Sequence, residues 1–298
     1  VTTTAGSHAL SPQLASPIVS TQWLADHLGS ESLVVLDATV LQVGSADGGP
    51  AWLSGLDQYI VNGHIPGAVF ADLLEVFSDP RGRFAFTKPS RDLFEVAAGS
   101  VGIDNDTTVV VYDTAAGQWA ARVWWLFRAF GYDDVAVLDG GFAKWLAEER
   151  PLETGNVEAR EAEFAADERP ELWADKAYVE AVVDGLVDAA LVCASPRSDF
   201  AGETSPRPRA GHIPGSVSVP STQLVDRGTR TFLKADDLRE RFAPALSHGR
   251  LVTYCGGGIA AAAAALALTL IGETDVAVYD GSLNEWSADA DAPLVAGA

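Results

Sequence analysis

The residues best suited to chemistry stand together near the C-terminal end. Leu251-Val252-Thr253-Tyr254-Cys255 leads into Gly256, Gly257 and Gly258, and then Ile259 and Ala260 open an alanine- and leucine-rich run to Ile271. The spacing predicts a buried strand, a tight loop and a helix that stops at Gly272. Glycines let the loop curl until successive N–H groups converge on the sulfur. The helix that follows turns its partly positive end to the same point. A thiol so placed ionises more readily, and the thiolate is the nucleophilic form. A buried structural cysteine is the ordinary reading of a lone thiol, but three glycines between a strand and a helix favour a reactive one.

The elements that must position this thiol follow one pattern written twice. Ser20 can cap a short helix after the extended Ile18-Val19, and Leu33 to Asp37 reads as a buried strand. A glycine-rich loop from Gly44 to Gly55 leads to Gly63-His64-Ile65-Pro66-Gly67. Val109 to Asp113 and Val135 to Leu138 are further strands, with an apolar helix carrying Trp119, Val123, Trp124, Leu126 and Phe127 between them. The second half answers with Leu191-Val192-Cys193, Gly211-His212-Ile213-Pro214-Gly215, Leu251 to Cys255 and Val276 to Trp286, the motifs recurring at offsets of about 141 to 148 residues. That period fits two copies of one domain. The charged stretch from Pro151 to Pro170 is the natural linker. Short apolar strands alternating with helices imply an α/β fold with parallel sheets and helices on both faces, and chemistry gathers at the carboxyl ends of such strands. In the first copy Tyr112-Asp113-Thr114-Ala115-Ala116 stands against Tyr254-Cys255-Gly256-Gly257-Gly258. That copy has an aspartate for the thiol and no glycine cradle, so only the second half keeps the nucleophile.

The chain has 298 residues and a formal charge of −21, which argues against binding a phosphate backbone or anionic lipid. No charge-free apolar stretch reaches the roughly 18 residues of a membrane span. Two cysteines, Cys193 and Cys255, make no disulfide framework and no zinc spacing. Val1 to Pro17 lacks the basic and apolar regions of a signal peptide and reads as a loose tail, so the cytoplasm is the expected compartment.

The ordered motifs resemble the rhodanese family, specifically its tandem two-domain sulfurtransferases. The resemblance is carried by His64-Ile65-Pro66-Gly67-Ala68, His212-Ile213-Pro214-Gly215-Ser216, Arg122-Val123-Trp124-Trp125-Leu126-Phe127-Arg128, Leu138-Asp139-Gly140-Gly141 through Trp145, and Tyr279-Asp280-Gly281-Ser282 through Trp286. It implies a tail at 1–17, a non-catalytic rhodanese-like domain at 18–150, a linker at 151–170 and a catalytic rhodanese-like domain at 171–298. It also implies that Cys255 takes a sulfane sulfur as a persulfide, cradled by the N–H groups of Gly256, Gly257, Gly258, Ile259 and Ala260. The donor would be 3-mercaptopyruvate or thiosulfate, and the acceptor cyanide, a small thiol or a thioredoxin-like protein. Preorganised amides can stabilise a persulfide without a metal or organic cofactor, and ping-pong kinetics follow from the covalent intermediate.

The neutral loop lacks the basic residues of thiosulfate-preferring members. It is closer to the Cys-Gly-Ser/Thr-Gly-Val-Thr of the mercaptopyruvate class, although Gly257 and Ala260 stand where hydroxyls are usual. Further departures are Ser195 and Asp199 at positions where the family commonly has arginine, and Leu74 and Phe86 where the mercaptopyruvate class has an acid and a histidine. Arg197, Arg207 and Arg209 are the candidates for holding a substrate carboxylate, which arginine's planar fork suits. These losses keep open a low-turnover sulfur carrier or interaction module as the alternative. A cysteine phosphatase would need arginine in a Cys-x5-Arg loop, and Ala261 stands there. His64, His212, Asp139 and Asp280 recur in both halves and read as turn-fixing residues, and Cys193 as a small buried side chain.

Overall fold

The structure, a computed structural model, describes residues 12–44, 50–207 and 209–297. The first half runs β1 (Ile18–Val19), α1 (Thr21–His27), β2 (Leu33–Asp37), β3 (Val40–Gly44), β4 (Pro50–Ser54), α2 (Leu56–Asn62), β5 (Val69–Phe70), α3 (Arg91–Ser100), β6 (Thr108–Tyr112), α4 (Gln118–Ala129), β7 (Val135–Leu138) and α5 (Gly141–Ala147). The second half runs β8 (Trp173–Ala174), α6 (Lys176–Val183), β9 (Ala190–Cys193), α7 (Arg197–Phe200), β10 (Val217–Ser218), α8 (Ala235–Phe242), β11 (Leu251–Tyr254), α9 (Ile259–Leu270), β12 (Val276–Tyr279) and α10 (Ser282–Trp286).

Two five-stranded parallel sheets result, in the orders β1-β7-β6-β2-β5 and β10-β9-β11-β12-β8. Read in opposite directions these are the same order, so the repeat in the sequence is a repeat in topology. Every residue of β6 and β11 is buried, as a central parallel strand covered on both faces requires. Ser20 does cap α1, accepting the Trp23 N–H at 3.0 Å. The segment expected to be a glycine-rich loop instead builds an antiparallel hairpin, β3 pairing with β4 from Val40↔Ser54 to Gly44↔Pro50. Trp52 explains the difference, since it packs against Phe86 and Trp119 and anchors one face of the hairpin to the core beside the glycines.

One apolar cluster runs through both halves and includes α4 and α9, which pack on one another. The fit is one of volume, because α4 brings Trp119, Trp124, Trp125 and Phe127 while α9 is nearly all alanine. Separate clusters fill the outer faces of the two sheets. Residues 12–17 of the expected tail lie against the first sheet, with the Pro12 carbonyl accepting from Thr108 Oγ1 at 2.9 Å and the Pro17 carbonyl from the Val137 N–H at 2.9 Å; residues 1–11 lie outside the described part. The stretch 151–170 straps the first half, tying Gly155 N–H to the Ile60 carbonyl and Asp167 N–H to the Phe130 carbonyl, and burying Phe164. Among the described residues, no helix is long and apolar enough to cross a membrane.

Candidate active site

Cys255 follows the last residue of β11 and is 4% exposed. Its main chain is fixed by the start of α10. The Cys255 N–H donates to Ser282 Oγ at 3.2 Å, and the Cys255 and Gly256 carbonyls accept the N–H groups of Leu283 at 3.0 Å and Asn284 at 2.8 Å. Ser282 sits at φ +49°, a left-handed conformation that costs a non-glycine residue about 1–2 kcal/mol. The equivalent position in the first half is Gly141, also left-handed, and Phe142 N–H donates to the Asp113 carbonyl there. The second half thus accepts strain in exchange for a hydroxyl on the cysteine's backbone. Gly258, at φ +80°, turns the loop into α9 as Gly117, at φ +81°, turns its twin into α4.

The twin loop lacks the run of glycines, as expected, yet its backbone still converges on one point. The first half does possess an amide cradle, and its own aspartate fills it. Asp113 is fully buried, with Oδ1 accepting the N–H groups of Ala115 and Gly117 and Oδ2 those of Trp119 and Ala120, at 2.8–3.0 Å. Burial pushes its carboxyl up from the ordinary range, and the four amides pull it back. A loop at a helix start in this fold can therefore enclose an anion with backbone alone.

Cys255 opens on a cavity of about 300 Å³ between the two halves. The first half contributes Gln42 and Trp52 from the hairpin, Ala85, Phe86, Gln118 and Trp119; the second contributes Gly256, Gly257, Ile259, Ala260, Ser195, Asp199, Arg207 and Asn284. Trp52, Phe86 and Trp119 pack on one another with centroids 5.2–5.8 Å apart and form an apolar wall. Phe86 holds φ +65°, unusual for a bulky residue, and strain of this kind collects at functional sites.

Among the described residues, Arg207 and Asp199 are the charged side chains lining the cavity, and they pair at 2.9 Å. A Cβ built on Gly256 would meet Arg207 Nη1 at 3.2 Å, so one end of the guanidinium faces the cysteine loop while the other is held by Asp199. The other two candidate arginines are elsewhere. Arg209 hydrogen-bonds the carbonyls of Asp289 and Ala292, and the exposed Arg197 reaches Gln223 at 3.5 Å. Leu74 does not line the cavity, whereas Phe86 does.

The twin aspartates do more than fix turns. Asp280 accepts the Lys88 N–H from the first half at 2.9 Å, and Asp139 accepts the Phe232 N–H from the second half at 2.8 Å, a reciprocal clasp across the interface. Asp280 also holds the guanidinium of Arg122, which is 1% exposed and donates to the Phe86 carbonyl as well. Arg122 Nη1, without a hydrogen-bond partner among the described residues, lies beneath Gly258, 3.1 Å from where its Cβ would be. The histidines behave as turn anchors: His64 bonds the Ile65 and Gly155 carbonyls, and His212 bonds the Phe200 carbonyl while stacked on that ring. Cys193 belongs to the apolar cluster on the other face of its sheet from Cys255, and burial pushes its thiol up to about 11.

Comparison with known proteins gives the same architecture. A family model described as "Rhodanese-like domain" matches residues 20–148 and again 175–289. The chain is 37% identical over 291 residues to a 3-mercaptopyruvate sulfurtransferase of Escherichia coli K12, covering 93% of this chain and 96% of that enzyme. It is 35% identical over 292 residues to the 3-mercaptopyruvate sulfurtransferase of Homo sapiens, covering 93% of each. The crystal structure of SseA from Escherichia coli, described among 3-mercaptopyruvate sulfotransferases, superposes with a TM-score of 0.79 at 33% identity over 90% of this chain and 98% of that one.

Proposed function

The chain belongs to the rhodanese family, with two of its domains in tandem, and we propose that Cys255 is its nucleophile and Arg207 its carboxylate anchor. It is a sulfurtransferase of the 3-mercaptopyruvate type that works through a persulfide. We read residues 18–150 as the non-catalytic domain, 171–298 as the catalytic one and 151–170 as their connection.

The Cys255 thiolate attacks the sulfur of 3-mercaptopyruvate. A sulfur–sulfur bond forms, the carbon–sulfur bond breaks, and its electron pair passes into the carbon skeleton as an enolate, which gains a proton and leaves as pyruvate. An acceptor thiolate then takes the outer sulfur and returns Cys255 to the thiolate, giving ping-pong kinetics. In this reading the main-chain N–H groups of Gly256, Gly257, Gly258, Ile259 and Ala260 stabilise the charge on the outer sulfur of the persulfide. The observation that supports this most is the twin loop, where Asp113 is caged by four N–H groups. Charge-assisted hydrogen bonds of this kind contribute about 1.5–3 kcal/mol each.

Arg207 offers one end of its guanidinium to a carboxylate, and Asp199 neutralises the other. That arrangement suits a monoanion better than a dianion, which favours mercaptopyruvate over thiosulfate. The acceptor is a small thiol or a thioredoxin-like protein, and two free cysteines fit a reducing compartment such as the cytoplasm. Steady-state kinetics with both donors test the reading. The expected result is a kcat/KM at least about tenfold higher for mercaptopyruvate; a preference for thiosulfate would refute the assignment of Arg207 and Asp199.

A further inference from the structure

Gly257 has no conformational reason to be glycine, since its φ is not in the left-handed region. The reason lies across the cavity. A Cβ built there would come within 2.9 Å of Asn284 Nδ2, so the side-chain amide of Asn284 occupies the volume that a side chain at 257 would need. Asn284 lines the cavity beside Cys255. Its backbone is pinned to the loop through its own N–H on the Gly256 carbonyl at 2.8 Å, in the turn that Ser282 holds at φ +49°. Its side-chain amide makes no hydrogen bond to a described residue in the structure, which leaves two N–H donors at the cavity wall.

From this we propose that Asn284 Nδ2 is the hydrogen-bond donor that stabilises the keto oxygen of 3-mercaptopyruvate as it becomes an enolate. The proposal rests on the sulfurtransferase reading above and supplies it with the polar side chain that Gly257 and Ala260 lack. A neutral amide donates without ionising, so Asn284 keeps its protons throughout. The electron pair of the broken carbon–sulfur bond ends on the enolate, and the proton gained at carbon comes from solvent water. Stabilisation at the position where charge develops acts on the rate of sulfur loading and not on substrate binding. Discharge of the persulfide to an acceptor forms no enolate and should not need the amide.

The experiment compares Asn284→Ala and the isosteric Asn284→Asp with the unaltered enzyme in two half-reactions: loading of Cys255 by 3-mercaptopyruvate, and discharge of the loaded protein to dithiothreitol. Loading should slow by about 10- to 1000-fold with KM changed less than about threefold, while discharge stays within about threefold. In the Asn284→Ala background, Gly257→Ser should recover at least about tenfold of the loading rate, because a hydroxyl then enters the vacated space; with Asn284 present, the same change should clash and lower activity. The proposal is overturned if both half-reactions slow by the same factor, or if loading is unaffected in either variant. An unaltered enzyme that cannot be loaded would instead defeat the sulfurtransferase reading itself.

Discussion

The role proposed for Arg207 divides one side chain between structure and substrate. Asp199 fixes one end of the guanidinium at 2.9 Å, and the pair is only 9% and 16% exposed. Arg207→Met should raise the KM for mercaptopyruvate by about 10- to 100-fold in steady-state assays while persulfide still forms at saturating donor. An unchanged KM would mean that the carboxylate is held elsewhere. Cys193 makes the opposite case, a thiol whose environment removes it from chemistry. Its value of about 11 keeps it protonated, so iodoacetamide at pH 8 should label Cys255 and leave Cys193 until the protein is unfolded, as peptide mapping would show. Folding raises this group, so its contribution to stability is complete below its unfolded value near 9.0 and is lost as pH climbs toward 11. Cys193→Ala should therefore flatten the alkaline arm of the stability curve over that window. Cys255 could be found in the sequence because a strand, one cysteine and three glycines are adjacent there. Arg207 could not be separated from Arg197 and Arg209, because which arginine points inward depends on carbonyls at Asp289 and Ala292 that only the folded chain brings near. Ser282 and Asn284 stand in the motif from Tyr279 to Trp286, but their contacts with the cysteine loop were not legible, since that loop lies 27 residues away.

At the scale of elements, the loop before α9 and the loop before α4 are two solutions to one problem. Each curls at a left-handed glycine into a helix start, and one encloses a carboxylate while the other presents a thiol. The Asp-Gly motifs that follow β7 and β12 close the same interface from opposite sides, but only Asp280 also balances a buried cation. Asp280→Ala leaves Arg122 uncompensated in the interior and should cost about 3–5 kcal/mol. Asp139→Ala removes a backbone hydrogen bond from a carboxyl already pushed up by burial, and should cost about 1 kcal/mol. Urea unfolding of the two variants measures the difference, and equal losses would contradict a special role for the Arg122 pair. The central strands β2, β6, β7, β9, β11 and β12 and the helices α1, α4 and α9 were readable from apolar runs and caps, whereas α3, α6 and α8, whose apolar faces are narrow, were not singled out. The β3–β4 hairpin was not, because glycine density between Gly44 and Gly55 masks the alternation of Leu41, Val43, Ala51 and Leu53. The recurrence of Asp139 and Asp280 was visible, but their reach across the interface was not, since a turn aspartate most often bonds its own turn.

For the molecule as a whole, the site exists only where two related domains meet. The first carries Asp113 where the second has Cys255, and it supplies Gln118, Trp119, Phe86 and the hairpin to the cavity, with Arg122 lying beneath the Cys255 loop. A continuous apolar cluster through α4 and α9 makes the interface part of the core, so the two walls of the cavity hold their spacing. The doubling of the fold was legible from ordered motifs. The facing of the halves was not, because it depends on how tryptophans of α4 fill the space left by alanines of α9. Passage of sulfur through Cys255 in this shared cavity is open to intact-protein mass spectrometry after exposure to 3-mercaptopyruvate. The expected result is a mass gain of one sulfur atom, mapped to the peptide containing Cys255, removed by cyanide or a small thiol, and absent in Cys255→Ser. A Cys255→Ser protein that still gains the sulfur, or a sulfur mapped to Cys193, would contradict it.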